Sequence, residues 1–259
     1  VVTSCSLAGW KEYGQRCVET FVAFWPPDVR LYVVSEDVLK VDASPQVRFF
    51  DLNLDKGYTE FNQRHAENVR AHGGRPGYSY LKGDDKRYYD FKNDAVKFSK
   101  KVFAIGMIAE YVPAGRLIWL DADVVTTSHV PYDFLLTLPP SGSAVAYLGR
   151  QGYHSECGFV SYDLDHPATR SFIEKYVGVY TSDKVFKLKA WNDCFVFDWL
   201  RARLSLPAYL IPHTSQSHPF VHSALGQYMD HLKGRRKARG ASHDHPKYRG
   251  LHGRQKGTT

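Results

Sequence analysis

Apolar positions along the first fifty residues change spacing in a way that predicts a strand, a helix and two more strands. Residues 1–4 begin with an apolar run, whereas residues 13–25 carry apolar side chains at helical spacing. Two prolines end that helix, and apolar runs at 29–34 and 47–52 predict the next two strands. This order is typical of the opening of a mostly parallel α/β sheet.

The same alternation continues to residue 212. Residues 94–109 have a strong helical pattern, and an uninterrupted apolar run at 117–120 follows as a strand. Further predicted elements are strands at 144–148 and 158–162 and helices at 168–179 and 193–204, and residues 209–212 close the regular part of the chain. We therefore predict one α/β domain, residues 1–237, with a mixed, mostly parallel sheet flanked by helices. A basic, flexible tail is predicted at 238–259, and residues 70–90 are predicted to form a long loop.

Two acids interrupt the apolar pattern directly after the run 117–120. Asp121 and Asp123 are separated by Ala122, and the chain becomes apolar again at Val124. A buried strand rarely accommodates carboxylates without a partner, and open α/β sheets bind ligands at the carboxyl ends of their strands. The pair therefore predicts a site for a hard divalent cation such as Mg²⁺ or Mn²⁺. The alternative is a structural role in which Asp121 caps the next segment.

Composition places the chain among globular proteins and locates its charge. Hydrophobic residues make up 43% of the 259, and no apolar run approaches the roughly twenty residues of a membrane span. The net charge of +7 falls within residues 230–259, which predicts contact with phosphate, nucleic acid or a membrane surface. Four scattered cysteines without a C-x-x-C pair, and no visible signal peptide, predict reduced thiols in a cytoplasmic protein.

A second motif opens the basic block. His231, Gly234 and Lys237 have the pattern H-x-x-G-x-x-K, and Lys233 lies within it. Imidazole binds transition metals, glycine lets the backbone approach phosphate closely, and lysine binds phosphate oxygens. The alternative is a solvated basic segment that binds nucleic acid without sequence preference. Together with the upstream acid pair, the motif favours a metal–diphosphate site.

These features resemble, in type and order, the GT-A glycosyltransferases. The resemblance rests on a first strand at the N-terminus, a D-x-D sequence after Leu-Ile-Trp-Leu, and the C-terminal H-x-x-G-x-x-K. The last motif is similar to that of the retaining enzymes typified by glycosyltransferase family 8. Residues 92–104 are similar to the helix that precedes D-x-D in bacterial capsule and lipopolysaccharide sugar transferases. The resemblance is topological over residues 1–237 and motif-specific only at these places.

The resemblance implies a ligand set for a metal and for a nucleotide-sugar donor. Asp121, Asp123 and His231 would hold Mn²⁺ or Mg²⁺ on the diphosphate of a UDP-sugar, with His218 and His222 as alternatives to His231. The donor-binding residues that it implies are Thr3, Ser4, Asp94, Lys97, Lys101, Asp121, Ala122, Lys233, Gly234 and Lys237. The first two would line the nucleoside pocket, and the lysines would face the diphosphate or the donor sugar.

Two further acids are the candidate catalytic residues. Asp193 resembles the short acidic element that many retaining enzymes place beneath the donor sugar, where it would stabilise an oxocarbenium-like transition state. A capping role at the start of helix 193–204 is nearly as well supported, and Asn192 can supply the cap instead. Glu156 precedes Gly158 at a strand entry and is a candidate contact to the acceptor, with an ordinary strand entry as the alternative.

The function that follows is a metal-dependent glycosyltransferase that moves a sugar from a UDP-sugar to a hydroxyl of an oligosaccharide or lipid-linked glycan, with retention. UDP-N-acetylglucosamine is the first candidate donor. The expected location is the cytoplasm, with peripheral contact to the inner membrane face through the basic tail and no specific nucleic acid.

Two alternatives stay open. A sugar-1-phosphate nucleotidyltransferase would carry basic residues directly after its first strand, where this chain has none before Lys11. A nucleic-acid-binding protein would leave Asp121 and Asp123 unexplained.

Overall fold

The computed structural model describes residues 1–37, 44–74, 89–234 and 236–247. Of the predicted loop at 70–90, residues 75–88 lie outside the described residues, as do residues 248–259 of the predicted tail. In the part that is described, no helix combines the length and the apolar character needed to cross a membrane.

Nine strands are formed by the described residues. They are β1 (Val2–Ser4), β2 (Leu31–Ser35), β3 (Val47–Asp51), β4 (Arg116–Leu120), β5 (Val124–Thr126), β6 (Val145–Leu148), β7 (Glu156–Asp163), β8 (Ala208–Leu210) and β9 (Met229–His231). Seven of them make one sheet in the order β3-β2-β1-β4-β7-β6-β8, and β5 pairs with β9 in a separate ribbon. Within the large sheet β7 runs antiparallel to both of its neighbours, and the other pairs are parallel.

Helices cover both faces of the large sheet. They are α1 (Leu7–Gly9), α2 (Gln15–Phe24), α3 (Lys56–His65), α4 (Ala95–Tyr111), α5 (Tyr132–Leu136), α6 (Pro167–Thr181), α7 (Asp193–Arg203) and α8 (Arg236–Arg239), with a π-helical stretch, Trp10–Gly14, joining the first two. The predicted fold class, one α/β domain with a mixed, mostly parallel sheet flanked by helices, is confirmed.

Strand β4 explains why the apolar run at residues 117–120 is uninterrupted. Leu117 and Trp119 belong to the core cluster that contains α4 and α6, whereas Ile118 and Leu120 belong to the cluster that contains α2. Successive side chains of a strand point to opposite faces, so a strand covered on both faces is apolar at every position. The strand ends at Leu120, and Asp121, which follows it directly, is only partly buried.

Candidate metal centre

The acid pair lies in the turn that takes the chain from β4 to β5. The backbone NH of Asp121 donates to the carbonyl of Gly158 in β7 at 2.9 Å, which holds the start of the turn against the sheet. The NH of Val124 then donates to the Asp121 carbonyl, also at 2.9 Å, and closes the turn. Both acidic side chains are partly buried, and Ala122 between them is buried.

His231 reaches the acid pair because β9 pairs with β5. The antiparallel register sets Val124 opposite His231, and the NH of Leu232 donates to the Asp123 carbonyl at 3.0 Å. The His231 Nε2 atom lies 3.0 Å from Asp123 Oδ1 and 3.4 Å from Asp121 Oδ2. One ligand atom from each of the three residues falls within 4.8 Å of the others. Two carboxylates and an imidazole at this spacing can hold a divalent cation such as Mn²⁺.

The second nitrogen of His231 faces Glu156. The imidazole is fully buried, and its Nδ1 atom lies 3.3 Å from Glu156 Oε1 without meeting hydrogen-bond geometry. Burial alone would lower the pKa of His231, but the charges of Asp123 and Glu156 outweigh it and raise the pKa to about 9. A metal ligand must be neutral imidazole, so a cation bound here displaces a proton. A carboxylate behind a ligating histidine orients the ring and increases its basicity.

Gly158 provides the space that the His231 ring occupies. A Cβ at this position would lie 2.3 Å from Cε1 and 2.4 Å from Nδ1 of the imidazole, far inside contact distance. The Gly158 NH also donates to Glu156 Oε1 at 3.2 Å. Because Gly158 has no side chain, the His231 ring can occupy this position beside the acid pair.

Two lysines from the H-x-x-G-x-x-K motif pair with acids of the centre. Lys237 Nζ lies 3.1 Å from Asp123 Oδ2, and Lys233 Nζ lies 2.5 Å from Glu156 Oε1. Burial would raise the pKa of Asp123, but His231 and Lys237 hold it well below the usual range. Gly234 has a φ of +58°, a left-handed conformation that favours glycine and turns the chain between the two lysines.

Lys101 of α4 joins the acid pair to Asp193. Its Nζ atom lies 3.1 Å from Asp121 Oδ1 and 2.9 Å from Asp193 Oδ2, and Trp119 Nε1 donates to the same Asp121 oxygen at 2.7 Å. Although burial would lower it, the two carboxylates raise the pKa of Lys101 well above its ordinary value. The side chain is therefore a fixed cation between two acids. The resemblance implied that Lys101 faces the diphosphate or the donor sugar, but the sequence gave no signal for its pairing with Asp193.

The capping role that the sequence left open for Asp193 is filled by its neighbour Asn192. Asp193 lies in the first turn of α7, and the helix is capped by Asn192, whose side chain accepts from the Phe195 NH at 2.9 Å. With the capping role filled, the buried Asp193 carboxylate is free to contact Lys101.

For the other residues predicted to bind the nucleotide-sugar donor, the described contacts are with groups other than the acid pair. Asp94 is the N-cap of α4 and accepts from the Lys97 NH at 3.0 Å, while the exposed Lys97 side chain lies over the Tyr89 ring. Thr3 is buried at the carboxyl end of β1 beside the partly buried Ser4. The Thr3 Oγ1 atom has no hydrogen-bond partner in the described part of the chain.

His218 and His222, the alternative ligands, contact a different acid. Their ring nitrogens lie 3.2 Å and 3.0 Å from the Asp244 carboxylate, and Arg236 Nη1 lies 2.6 Å from the His218 ring. Burial and the Arg236 charge lower the pKa of His218 to about 4. The histidine at the acid pair is His231.

Part of the predicted tail packs against the domain. Ser242 is fully buried and donates from its hydroxyl and its NH to the Asp230 carboxylate, at 2.6 Å and 2.7 Å. The His245 side chain is also buried, close to the Met229 carbonyl. These contacts hold β9, and with it His231, in register.

Comparison with known proteins finds no matching family and no matching curated protein. Among solved structures, mouse xyloside xylosyltransferase 1 is similar with a TM-score of 0.48 and 11% identity, over 81% of this chain and 83% of that one. The glycosyltransferase GlyE of Streptococcus pneumoniae TIGR4 is similar at 0.45 and 13%, over 82% of this chain and 45% of its own. The WbbM bifunctional glycosyltransferase is similar at 0.44 and 11%, over 82% and 38%. This chain thus spans less than half of the last two, and likeness at this level by itself assigns no function.

Proposed function

We propose that this protein is a metal-dependent glycosyltransferase that uses a nucleotide-sugar donor. The observation that supports the proposal is the meeting of Asp121, Asp123 and His231 within 4.8 Å at the carboxyl end of β4. Mn²⁺ or Mg²⁺ bound there would neutralise a diphosphate and stabilise it as a leaving group. The three similar solved structures are a xylosyltransferase and two glycosyltransferases.

Three lysines make the centre suited to a diphosphate. Lys101, Lys233 and Lys237 each pair with an acid of the site, so that positive and negative charges are closely balanced before any ligand arrives. A divalent cation bound by the acids would compete for those carboxylates. The lysine ammonium groups would then be available to bind phosphate oxygens. The left-handed turn at Gly234 would let the backbone approach the same phosphates.

We assign the nucleoside to the carboxyl end of β1. Thr3 brings a buried hydroxyl without a partner in the described residues, and a buried hydroxyl of this kind is stabilised when a ligand supplies a hydrogen bond. Ser4 stands next to it. UDP is the proposed nucleotide and N-acetylglucosamine the first sugar to test, with a glycan hydroxyl as the acceptor. Contact between the basic tail and a membrane stays a prediction, since residues 248–259 lie outside the described residues.

The proposal includes retention of the anomeric configuration. Asp193 and Glu156, the candidate catalytic acids, both carry lysine partners in the structure, which favours electrostatic stabilisation over proton abstraction from an acceptor. We assign Asp193 to the donor sugar, because its carboxylate is joined to Asp121 through Lys101. Glu156 lies behind His231, and we assign it to positioning of that ligand.

Ligand-dependent thermal stabilisation tests the proposal. We expect UDP to raise the melting temperature only when Mn²⁺ is present, because a ligand that binds the folded state stabilises it. Asp123→Ala and His231→Ala should each abolish the metal-dependent part. The matched control is Asp28→Ala at an exposed acid, which should respond as the wild type does.

Two outcomes would contradict the proposal. One is a DNA oligonucleotide that stabilises the protein while UDP with Mn²⁺ does not. The other is a full metal response in both the Asp123 and the His231 variants. If the nucleotide response is confirmed, hydrolysis of a panel of nucleotide sugars, followed by NMR of the released sugar anomer, identifies the donor and tests retention.

A further inference from the structure

A second cluster of possible ligands lies beside the metal centre. Cys157 is in β7 and Cys194 in the first turn of α7, and their sulfur atoms and a carboxylate oxygen of Asp193 fall within 4.8 Å of one another. Cys157 and Asp193 are buried and Cys194 is partly buried, and all four cysteines of the chain are free thiols. Spacing along the chain concealed this pair, because 37 positions separate its members.

We propose that Cys157, Cys194 and Asp193 form a binding site for a thiophilic divalent cation, Zn²⁺ or Cd²⁺. Two thiolates and a carboxylate are a ligand set for tetrahedral zinc, with the fourth position left to water. The Cys194 Sγ atom lies 3.6 Å from Asp193 Oδ2. A tetrahedral zinc with ordinary bond lengths requires a sulfur–oxygen separation of about 3.5 Å. The Cys194–Asp193 pair therefore needs little adjustment to accept the ion, and the Cys157 sulfur lies within 4.8 Å of the Cys194 sulfur and of a carboxylate oxygen of Asp193.

The charges around the cluster are compatible with the exchange of two thiol protons for one divalent cation. Each thiol would release its proton to solvent as it binds, so one divalent cation replaces two protons. The ion with two thiolates and one carboxylate has a single negative charge, the same as the free carboxylate with two neutral thiols. Lys101, 2.9 Å from Asp193 Oδ2, thus faces an unchanged net charge and stabilises the complex as it stabilises the free acid.

The ligand chemistry separates this site from the centre at Asp121. Mn²⁺ and Mg²⁺ prefer oxygen ligands and would stay with the acid pair and His231, whereas zinc and cadmium prefer sulfur. Asp193 belongs to the donor-sugar site in the proposed function. Occupation of the thiol site would therefore inhibit transfer, and this consequence alone rests on the proposed function.

Cadmium titration of the full, reduced chain tests the site directly. With Mn²⁺ in excess, we expect one equivalent of Cd²⁺ to produce the ultraviolet charge-transfer band of a cadmium–thiolate bond and to release two protons. Cys157→Ala and Cys194→Ala should each weaken binding at least tenfold, the lower end of what loss of even an orienting partner costs a metal site. Cys17→Ala, at a buried cysteine outside the cluster, is the matched control and should keep the band. Asp193→Asn should keep the band with weaker binding.

The proposal is overturned if the wild type gives no such band, or if the Cys194 variant binds cadmium with wild-type affinity and gives a band of wild-type intensity. Cys194 is partly exposed, so this variant should fold even if the buried Cys157 variant does not, and circular dichroism checks both. A Cys157–Cys194 disulfide in protein kept under reductant would overturn it as well. Donor hydrolysis distinguishes the two proposals: with Mn²⁺ in excess, zinc should inhibit the wild type at a lower concentration than it inhibits Cys194→Ala. A wild type that binds cadmium but hydrolyses no donor refutes only the proposed function.

Discussion

Replacement of Gly158 with alanine tests whether the position of His231 depends on the missing side chain in β7. The added Cβ would lie 2.3 Å from Cε1 and 2.4 Å from Nδ1 of the imidazole, and 3.1 Å from Glu156 Oε1. Carbon atoms in contact are separated by about 3.5 Å, so the ring must move by roughly 1 Å. Binding sites tolerate displacements of only about 0.5 Å, and the ring is enclosed, with no exposed surface.

The expected magnitudes follow from that clash. Overpacking a buried site costs about 1–3 kcal/mol of the free energy of unfolding. In a His231→Ala background the obstructing ring is gone, so the same substitution should cost less than about 1 kcal/mol, and the two changes are coupled. Because the displaced ring is a metal ligand in our proposal, the affinity for Mn²⁺ should fall by more than about tenfold.

Denaturant unfolding without metal and calorimetric titration with Mn²⁺ measure the two effects separately. The control is Gly178→Ala in α6, where an added Cβ meets no atom within 4 Å. Alanine is a better helix former than glycine, so the control should be neutral or more stable by up to about 1 kcal/mol, with unchanged Mn²⁺ affinity. Wild-type Mn²⁺ affinity in Gly158→Ala, or an equal cost of unfolding with and without the His231 ring, would refute the reasoning.

Three further predictions concern residues around the centre. Lys101→Met should lower the free energy of unfolding by about 3 kcal/mol in urea, because it leaves the buried Asp193 carboxylate without its cation, and adding Asp193→Asn should recover part of the loss. His218 is held neutral by burial and Arg236, with its pKa lowered from 6.5 to about 4. Stability should therefore be full above pH 6.5 and fall by up to about 1.4 kcal/mol per unit as the pH drops toward 4, a slope that His218→Gln should flatten in urea titrations at each pH. Asn192→Ala should cost about 1 kcal/mol by removing the cap of α7, whereas Asn192→Ser should retain most of the stability; equal losses in both would argue against capping.

The sequence by itself determined the layers of the fold and the first half of the site. The run 117–120 is apolar at every position because both faces of β4 are covered, and Asp121 follows directly after the strand ends. A helix buried on one face has a stripe of apolar residues, and a strand buried on both faces has a continuous apolar run. The spacing of apolar residues along the chain therefore shows how each element is buried. The acid pair was visible for the same reason, since carboxylates after a buried strand stand out against the pattern.

The H-x-x-G-x-x-K resemblance implied His231 and Lys237, but only the tertiary structure shows how these distant residues contact the acid pair. The choice of His231 over His218 and His222 depends on pairing between β5 and β9, two three-residue strands whose sequences carry little periodicity. Other contacts also join separate elements. Lys101 pairs with both Asp121 and Asp193, and Cys157 lies close to Cys194. Local patterns encode burial and propensity, whereas such contacts follow from how whole elements pack, and a single chain's spacing does not record that packing.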